Sequence, residues 1–138
     1  LAEFERLAHL VEATPEKLSR HLFGERPLAE CIVGEAGGEV VAFALFFTNF
    51  STFLARPGLY LEDLYVRPAQ RGSGLGKALL RHLGRLAAER GCGRFEWSVL
   101  DWNADAIAFY QGLGATVMPD WRICRISGEA LERFAAPA

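Results

Sequence analysis

One α/β domain of mixed element order is what the 138-residue chain predicts. Three observations point there. Stretches with helical spacing of apolar residues alternate with short runs rich in Val, Ile and Phe; a turn containing three glycines joins one of those runs to the longest helical stretch; and no linker, repeat or low-complexity segment interrupts the order. A chain of this length buries a core without disulfide staples and is too short for two full domains.

Leu1, Phe4, Leu7, Ala8 and Val11 recur at helical spacing with charges between them, so Leu1–Val11 is expected to be helical. Thr14 stands before Pro15, Glu16 and Lys17, a capping residue ahead of a proline at the first helical position. It opens a second helix toward Phe23 that Gly24 stops. Ala29–Gly34 and Val40–Thr48 flank Glu35–Glu39 and read as an antiparallel hairpin whose second arm, apolar almost throughout, suits a strand covered on both faces. Asn49–Gly58 reads as a polar and aromatic loop ended by a Pro-Gly turn. Leu59–Val66 is the next strand, and strict alternation would send its adjacent acids, Glu62 and Asp63, to opposite faces. Arg67-Pro68 ends it, and Arg71-Gly72-Ser73-Gly74-Leu75-Gly76 leads into a long helix. That helix has Leu75, Leu79, Leu83, Leu86 and Ala87 on one face, Lys77, Arg81 and Arg85 on another, and Gly91 past its end. Arg94–Leu100 is strand-like. Asp101-Trp102-Asn103 prepares a helix over Ala104–Leu113 that Gly114 stops, and Ala115–Met118 and Trp121–Ile126 read as two closing strands around Pro119-Asp120.

Hydrophobic residues make up 51% and charged residues 23%, a composition that excludes disorder. The longest apolar run, Val40–Phe47, falls far short of the ~20 residues of a membrane-spanning helix, so no membrane association is expected. Leu1–Glu12 lacks the basic start and apolar centre of a signal peptide. Cys31, Cys92 and Cys124 are an odd number at wide spacing with no CxxC pair, and His9, His21 and His82 form no ligand pattern. A cytoplasmic protein without disulfide or metal is expected. The net charge of −2 is unevenly spread: Arg67, Arg71, Lys77, Arg81, Arg85, Arg90 and Arg94 against Glu89 give Leu64–Arg94 a charge of +6, leaving −8 elsewhere. A focused basic block in an acidic chain suits a local anion site rather than a nucleic-acid partner, with a solvated helix face as the plain alternative.

The strand–turn–helix at Leu59–Gly76 is the informative segment. Glycines leave backbone N–H groups open to close approach, and a helix N-terminus adds partial positive charge, so a pyrophosphate is the natural occupant. A dinucleotide fingerprint would need glycine at Lys77; a Walker A loop would need glycine at Arg71 and Ser or Thr at Ala78. What remains is Arg-x-x-Gly-x-Gly, filled by Arg71, Gly74 and Gly76. In this turn the sequence resembles the GNAT N-acetyltransferases, which bind the pyrophosphate of acetyl-coenzyme A there. Tyr60-Leu61-Glu62-Asp63 before it, and Trp102-Asn103, Phe109-Tyr110 and Leu113-Gly114-Ala115 after it, are similar to the diamine acetyltransferase branch, the relatives of spermidine/spermine acetyltransferase. The resemblance implies the GNAT fold, a mixed and mostly antiparallel sheet with a V-shaped splay flanked by helices, with a further strand before Leu1. It also implies acetyl-CoA as cofactor, no metal, direct transfer in a ternary complex to a small-molecule amine, and a homodimer formed through the late strands.

Acetyl transfer to an amine needs a deprotonated nitrogen, a polarised thioester carbonyl and a proton for the departing thiolate. An alkyl ammonium with a pKa near ~10.4 must first lose its proton. By resemblance Glu62 is the water-mediated general base and Asp63 a substrate-site acid, on a bulge that lets both reach one cleft. The resemblance likewise assigns cofactor contacts to Leu64, Tyr65 and Val66, to Arg71, Gly72, Ser73, Gly74, Leu75 and Gly76 of the turn, and to Lys77. Tyr110 becomes the general acid, touching the cofactor as well; its position on an apolar helix face taken alone would suit a core residue. Asn103 reads as a helix N-cap on its own and by resemblance also holds the pantetheine arm. Trp102 is expected at the substrate site. Phe50 and Phe53 either wall the amine cleft or make ordinary core or dimer contacts, and Trp121 and Phe134 either face a partner subunit or pack internally.

Polyamine-specific relatives carry an acid and a tryptophan in the loop before the Tyr-Leu-Glu-Asp strand. Here Thr48–Leu59 contains Phe50, Phe53 and Arg56 but no acid. A long polycation loses its distal anchor and meets Arg56 as a like charge. Short diamines such as putrescine, or amino acids with a side-chain amine such as thialysine, ornithine or lysine analogues, are the expected substrates in preference to spermine. A protein or peptide amine, or a non-catalytic coenzyme A binding module, are the alternatives.

Overall fold

Residues 30–66 are rich in β-branched and aromatic side chains and build most of a four-stranded sheet in the computed structural model, which describes residues 1–137. Its strands are β1 (Glu30–Ala36), β2 (Glu39–Ser51), β3 (Arg56–Val66) and β4 (Arg94–Trp97), in that spatial order. β1, β2 and β3 are antiparallel neighbours, whereas β3 and β4 are parallel. A parallel pair needs a crossover, supplied by helix α2 (Leu75–Glu89). The described chain divides into two compact units, Leu1–Leu100, which holds the whole sheet, and a second that begins at Asp101.

Helix α2 covers one face of the sheet. Leu79, Leu80, Leu83 and Ala87 are buried on it, against buried Ala42, Ala44 and Phe46 of β2 and Leu59 and Leu61 of β3. Phe46, Leu59 and Leu83 are fully enclosed, each worth about 1.5–3 kcal/mol of burial. Leu75, the first residue of α2, packs onto Gly34 of β1, where an added Cβ would come within 3.0 Å of its Cδ1. Helix α1 (Pro15–Phe23) begins as its sequence predicts: Thr14 Oγ1 accepts a hydrogen bond from Lys17 N at 3.2 Å and Pro15 takes the first position.

Three expectations need correction. Leu1–Leu7 is a run of turns followed by one turn of 3₁₀ helix at Ala8–Leu10, because Arg6 adopts a left-handed conformation (φ 62°) that no continuous α-helix contains. The expected loop over 49–58 is mostly strand: β2 and β3 stay paired to Ser51 and Arg56, leaving a four-residue turn in which Ser51 Oγ accepts from Leu54 N. Pro57-Gly58 therefore lies inside β3, and Pro57 uses its carbonyl to accept from Gly93 N. Among the described residues no strand follows β4. The apolar side chains over 115–126 stay largely in solvent, with Trp121 76% and Ile123 71% exposed. Alternation marks a strand only where a neighbouring strand pairs with it, and none of these residues joins the described sheet.

The second unit contains α3 (Ala104–Gly112), capped by Asn103, and α4 (Gly128–Ala135). Helix α4 follows no expected signal, and its Glu129 and Arg133 form an i,i+4 pair at 3.7 Å. Among the described residues no helix is long and apolar enough to cross a membrane.

Candidate active site

Strand β3 loses its neighbour on one side halfway along. It pairs with β4 only over Gly58–Leu61, while its other edge follows β2 as far as Val66. The two parallel strands part at Glu62, and the V-shaped splay leaves one backbone edge of β3 without a strand partner among the described residues from there to Val66.

At the same point the β2–β3 ladder slips. Phe46 faces Leu61 and Leu45 faces Asp63, so Glu62 has no counterpart on β2. This bulge resets the alternation of side chains. Leu61 stays with Phe46 in the core, while Asp63 and Tyr65 join Leu45 and Phe43 on the face away from α2. That face is aromatic: the Phe43 and Tyr65 rings are 6.1 Å apart and those of Phe47 and Tyr60 5.2 Å apart, with Asp63 between the two pairs along β3. The Tyr60 hydroxyl also meets Ser98 Oγ at 2.7 Å. Desolvation raises the Asp63 carboxyl above the ordinary range, reinforced by the like charges of Glu62 and Glu5. A carboxylate so placed gains most from an arriving cation.

The glycine turn follows. Gly72 (φ 80°) and Gly74 (φ 85°) are left-handed, and an added Cβ at either would meet nothing within 4 Å among the described residues, so the turn is open to close approach from outside. Helix α2 starts there with no side-chain capping bond among the described residues. The N–H groups of its first turn are therefore available to an anion, with Lys77 exposed beside them. Ser73 Oγ donates to the Gln70 carbonyl, bracing the turn. A cavity of about 430 Å³ lined by Gln70, Ser73, Gly74 and Leu75, with Glu35 and Ala36 of the β1–β2 hairpin, adjoins it.

Arg71 works within the protein. Its Nε donates to Val66 O at 3.0 Å, and its guanidinium lies 5.5 Å from the ring centres of both Phe4 and Tyr65. The side chain thus ties the N-terminal segment to the end of β3. Leu64, Tyr65 and Val66 form the last part of β3, beyond the point where β4 leaves.

Trp102, Asn103 and Tyr110 belong to the second unit. Asn103 Oδ1 accepts from Ala106 N at 3.2 Å, which fixes the start of α3. Tyr110 lies on α3 with its ring 5.6 Å from that of Phe109, and burial pushes its hydroxyl pKa up, keeping it protonated at neutral pH. Trp102 is 43% exposed. Phe50 falls by alternation on the opposite face of β2 from Phe47, and Phe53 stands fully exposed in the hairpin turn, so neither packs beside Asp63. Phe43, Phe47, Tyr60 and Tyr65 supply the aromatic surroundings instead, and Phe4 lies against Arg71. Phe43 and Phe47 sit in an apolar run that reads as a doubly covered strand, and Phe4 in one that reads as helix.

Residues 2–115 match the Acetyltransferase (GNAT) family. The chain is 40% identical to thialysine N-epsilon-acetyltransferase of Mus musculus, over 98% of its own length and 85% of the relative's. It is 34% identical to L-ornithine N5-acetyltransferase of Arabidopsis thaliana, over 96% and 78% respectively. Among solved structures, an integron cassette protein from the mobile metagenome of V. cholerae matches with a TM-score of 0.82 at 27% identity, over 98% of this chain and 86% of that one.

Proposed function

The chain belongs to the GNAT acetyltransferase family, and on that premise we propose that it transfers the acetyl group of acetyl-CoA directly to the side-chain amine of a small basic amino acid or to a short diamine. The observation that carries this is the bulge at Glu62, which sets two adjacent carboxylates at the mouth of the splay. The uncapped start of α2, the open glycine turn and the free edge of β3 fit a pyrophosphate followed by an amide-bearing arm.

When bound, acetyl-CoA supplies a thioester whose carbonyl carbon accepts a nitrogen and whose sulfur departs. The chain's own groups do the rest. Backbone N–H groups of the turn and the first turn of α2, with Lys77, hold the pyrophosphate, and the edge at Leu64, Tyr65 and Val66 holds the arm. Asp63 receives the substrate ammonium and is relieved by it. Glu62, exposed to water, takes the proton that the ammonium must lose. Tyr110 keeps a proton on its hydroxyl for the departing sulfur and regains one from solvent. Thialysine and ornithine, the substrates after which the two relatives are named, support an amino-acid acceptor.

Steady-state rates with ornithine, thialysine, putrescine and spermine test this. At least one short amine is expected to exceed spermine in kcat/KM. A higher value for spermine than for every short amine refutes it.

A further inference from the structure

We propose that Arg94 and Glu96 on β4 form the subsite for the zwitterionic head of the amino-acid substrate, Arg94 receiving its α-carboxylate and Glu96 its α-ammonium. The proposal rests on the amine acetyltransfer just described and extends it to the far end of the acceptor.

The parallel register sets Glu96 beside Tyr60 and Arg94 beside Gly58. Residues in register share a sheet face, so both point to the side that carries Asp63 and the aromatic pairs. Arg94 Nε and Glu96 Oε1 are 3.5 Å apart, and their side chains are 44% and 42% exposed. An exposed pair of this kind contributes little to stability, so its two charges exchange readily for charges on a ligand. A free α-amino acid presents the complementary pair, one anion and one cation on a single carbon.

The surroundings favour the same occupant. Arg56 alternates onto this face at the start of β3, with its stem against Gly93, and adds positive charge near Arg94. In the row formed by Asn49, Gly58 and Arg94, the Asn49 amide lies across Gly58, where any added Cβ would collide with its Oδ1. That oxygen is buried without a hydrogen-bond partner among the described residues, an acceptor awaiting a donor. Between the charged ends, the rings of Tyr60 and Phe47 offer an apolar floor for methylene groups.

The spacing agrees. Three residues of strand separate Asp63 from Tyr60, roughly 10 Å, and β4 lies about 4.8 Å to the side. The Cα atoms of Asp63 and Glu96 are thus about 11 Å apart before their side chains reach toward each other. An extended chain of five or six bonds between a side-chain amine and an α-amine covers roughly 6–8 Å, enough to bridge the remaining gap. A diamine of equal length has no carboxylate, and Arg94 then faces it with nothing but repulsion.

The test compares ornithine, putrescine and 5-aminopentanoate, which share a terminal amine and differ in the other end. Steady-state kcat/KM is measured for each with the wild-type protein, Arg94→Gln and Glu96→Gln. The wild type is expected to prefer ornithine to putrescine at least tenfold. Arg94→Gln should cut that ratio at least tenfold, chiefly through KM for ornithine, and Glu96→Gln should cut the ratio of ornithine to 5-aminopentanoate. Unchanged ratios, or a parallel fall for all substrates as from simple loss of folding, overturn the subsite and leave the acetyltransferase assignment standing. Binding of acetyl-CoA by the wild type with turnover of no amine overturns that assignment, and the subsite with it.

Discussion

Replacing Gly74 by alanine isolates the contribution of the turn, because conformation is the only thing the added methyl disturbs. Gly74 sits at φ 85°, ψ 3°, and its new Cβ would meet nothing within 4 Å among the described residues. The cost is that of a left-handed L-residue, about 1–2 kcal/mol, with no clash to add to it. Urea unfolding should show that loss at an unchanged m-value. The turn can also relieve the strain by rotating its N–H groups away from the anion, so the Kd for acetyl-CoA in calorimetric titration should rise about tenfold, equivalent to ~1.4 kcal/mol. Gly84→Ala is the internal control. Gly84 lies within α2, also with open space around an added Cβ, but in helical conformation, so alanine there should stabilise by about 0.5–1 kcal/mol and leave acetyl-CoA affinity unchanged. A Gly74→Ala protein as stable as the wild type and binding acetyl-CoA equally well would refute the turn's assigned role. A loss beyond ~4 kcal/mol would refute its openness, since an unhindered left-handed alanine costs only about 1–2 kcal/mol.

Three further outcomes follow from the same geometry. Asp63 has a raised carboxyl pKa in the folded state, so at this site the native protein binds a proton more tightly than the unfolded chain; the contribution of Asp63 to stability is greatest at acid pH and is lost as pH rises from the unfolded value through the folded one. Asp63→Asn should therefore raise the Tm at pH 7 while lowering kcat/KM for the amine, and a lower Tm at pH 7 would contradict the cause assigned to the shift. Tyr110→Phe should reduce kcat about 100-fold or more with little change in KM for acetyl-CoA, measured by thiol release, and wild-type rates from such a variant would remove Tyr110 from the chemistry. Leu83→Ala, which empties a fully buried site between α2 and the sheet, should cost about 2–5 kcal/mol in denaturant unfolding.

Local signals were legible wherever they act locally. Thr14-Pro15 and Gly24 bound α1 because capping and proline geometry need no partner. Gly72 and Gly74 marked the turn because their left-handed conformations exclude most other residues. The adjacency of Glu62 and Asp63 already required an irregularity if both acids were to serve one cleft, and the ladder slips there. Tertiary contacts decide the rest. Helical spacing in Leu1–Val11 does not foretell that Phe4 stacks on Arg71 or that Arg6 turns left-handed. Pro57-Gly58, a turn signal by composition, is absorbed into β3 because the ladder with β2 continues to Arg56 and the Pro57 carbonyl accepts from Gly93 N. Phe43 and Phe47 looked like core, and only the register shows them on the face of Asp63. Arg94 counts in the sequence only as one cation of the basic block and Glu96 carries no signal there; the parallel pairing sets them beside Gly58 and Tyr60.

Mass spectrometry of the products formed from acetyl-CoA and ornithine tests the central claim most directly. The site described here predicts a single acetyl group on the side-chain nitrogen, formed only when the protein is present, with the α-nitrogen unmodified. Acetyl-CoA bound but no amine acetylated, or acetylation of the α-nitrogen instead, would contradict it.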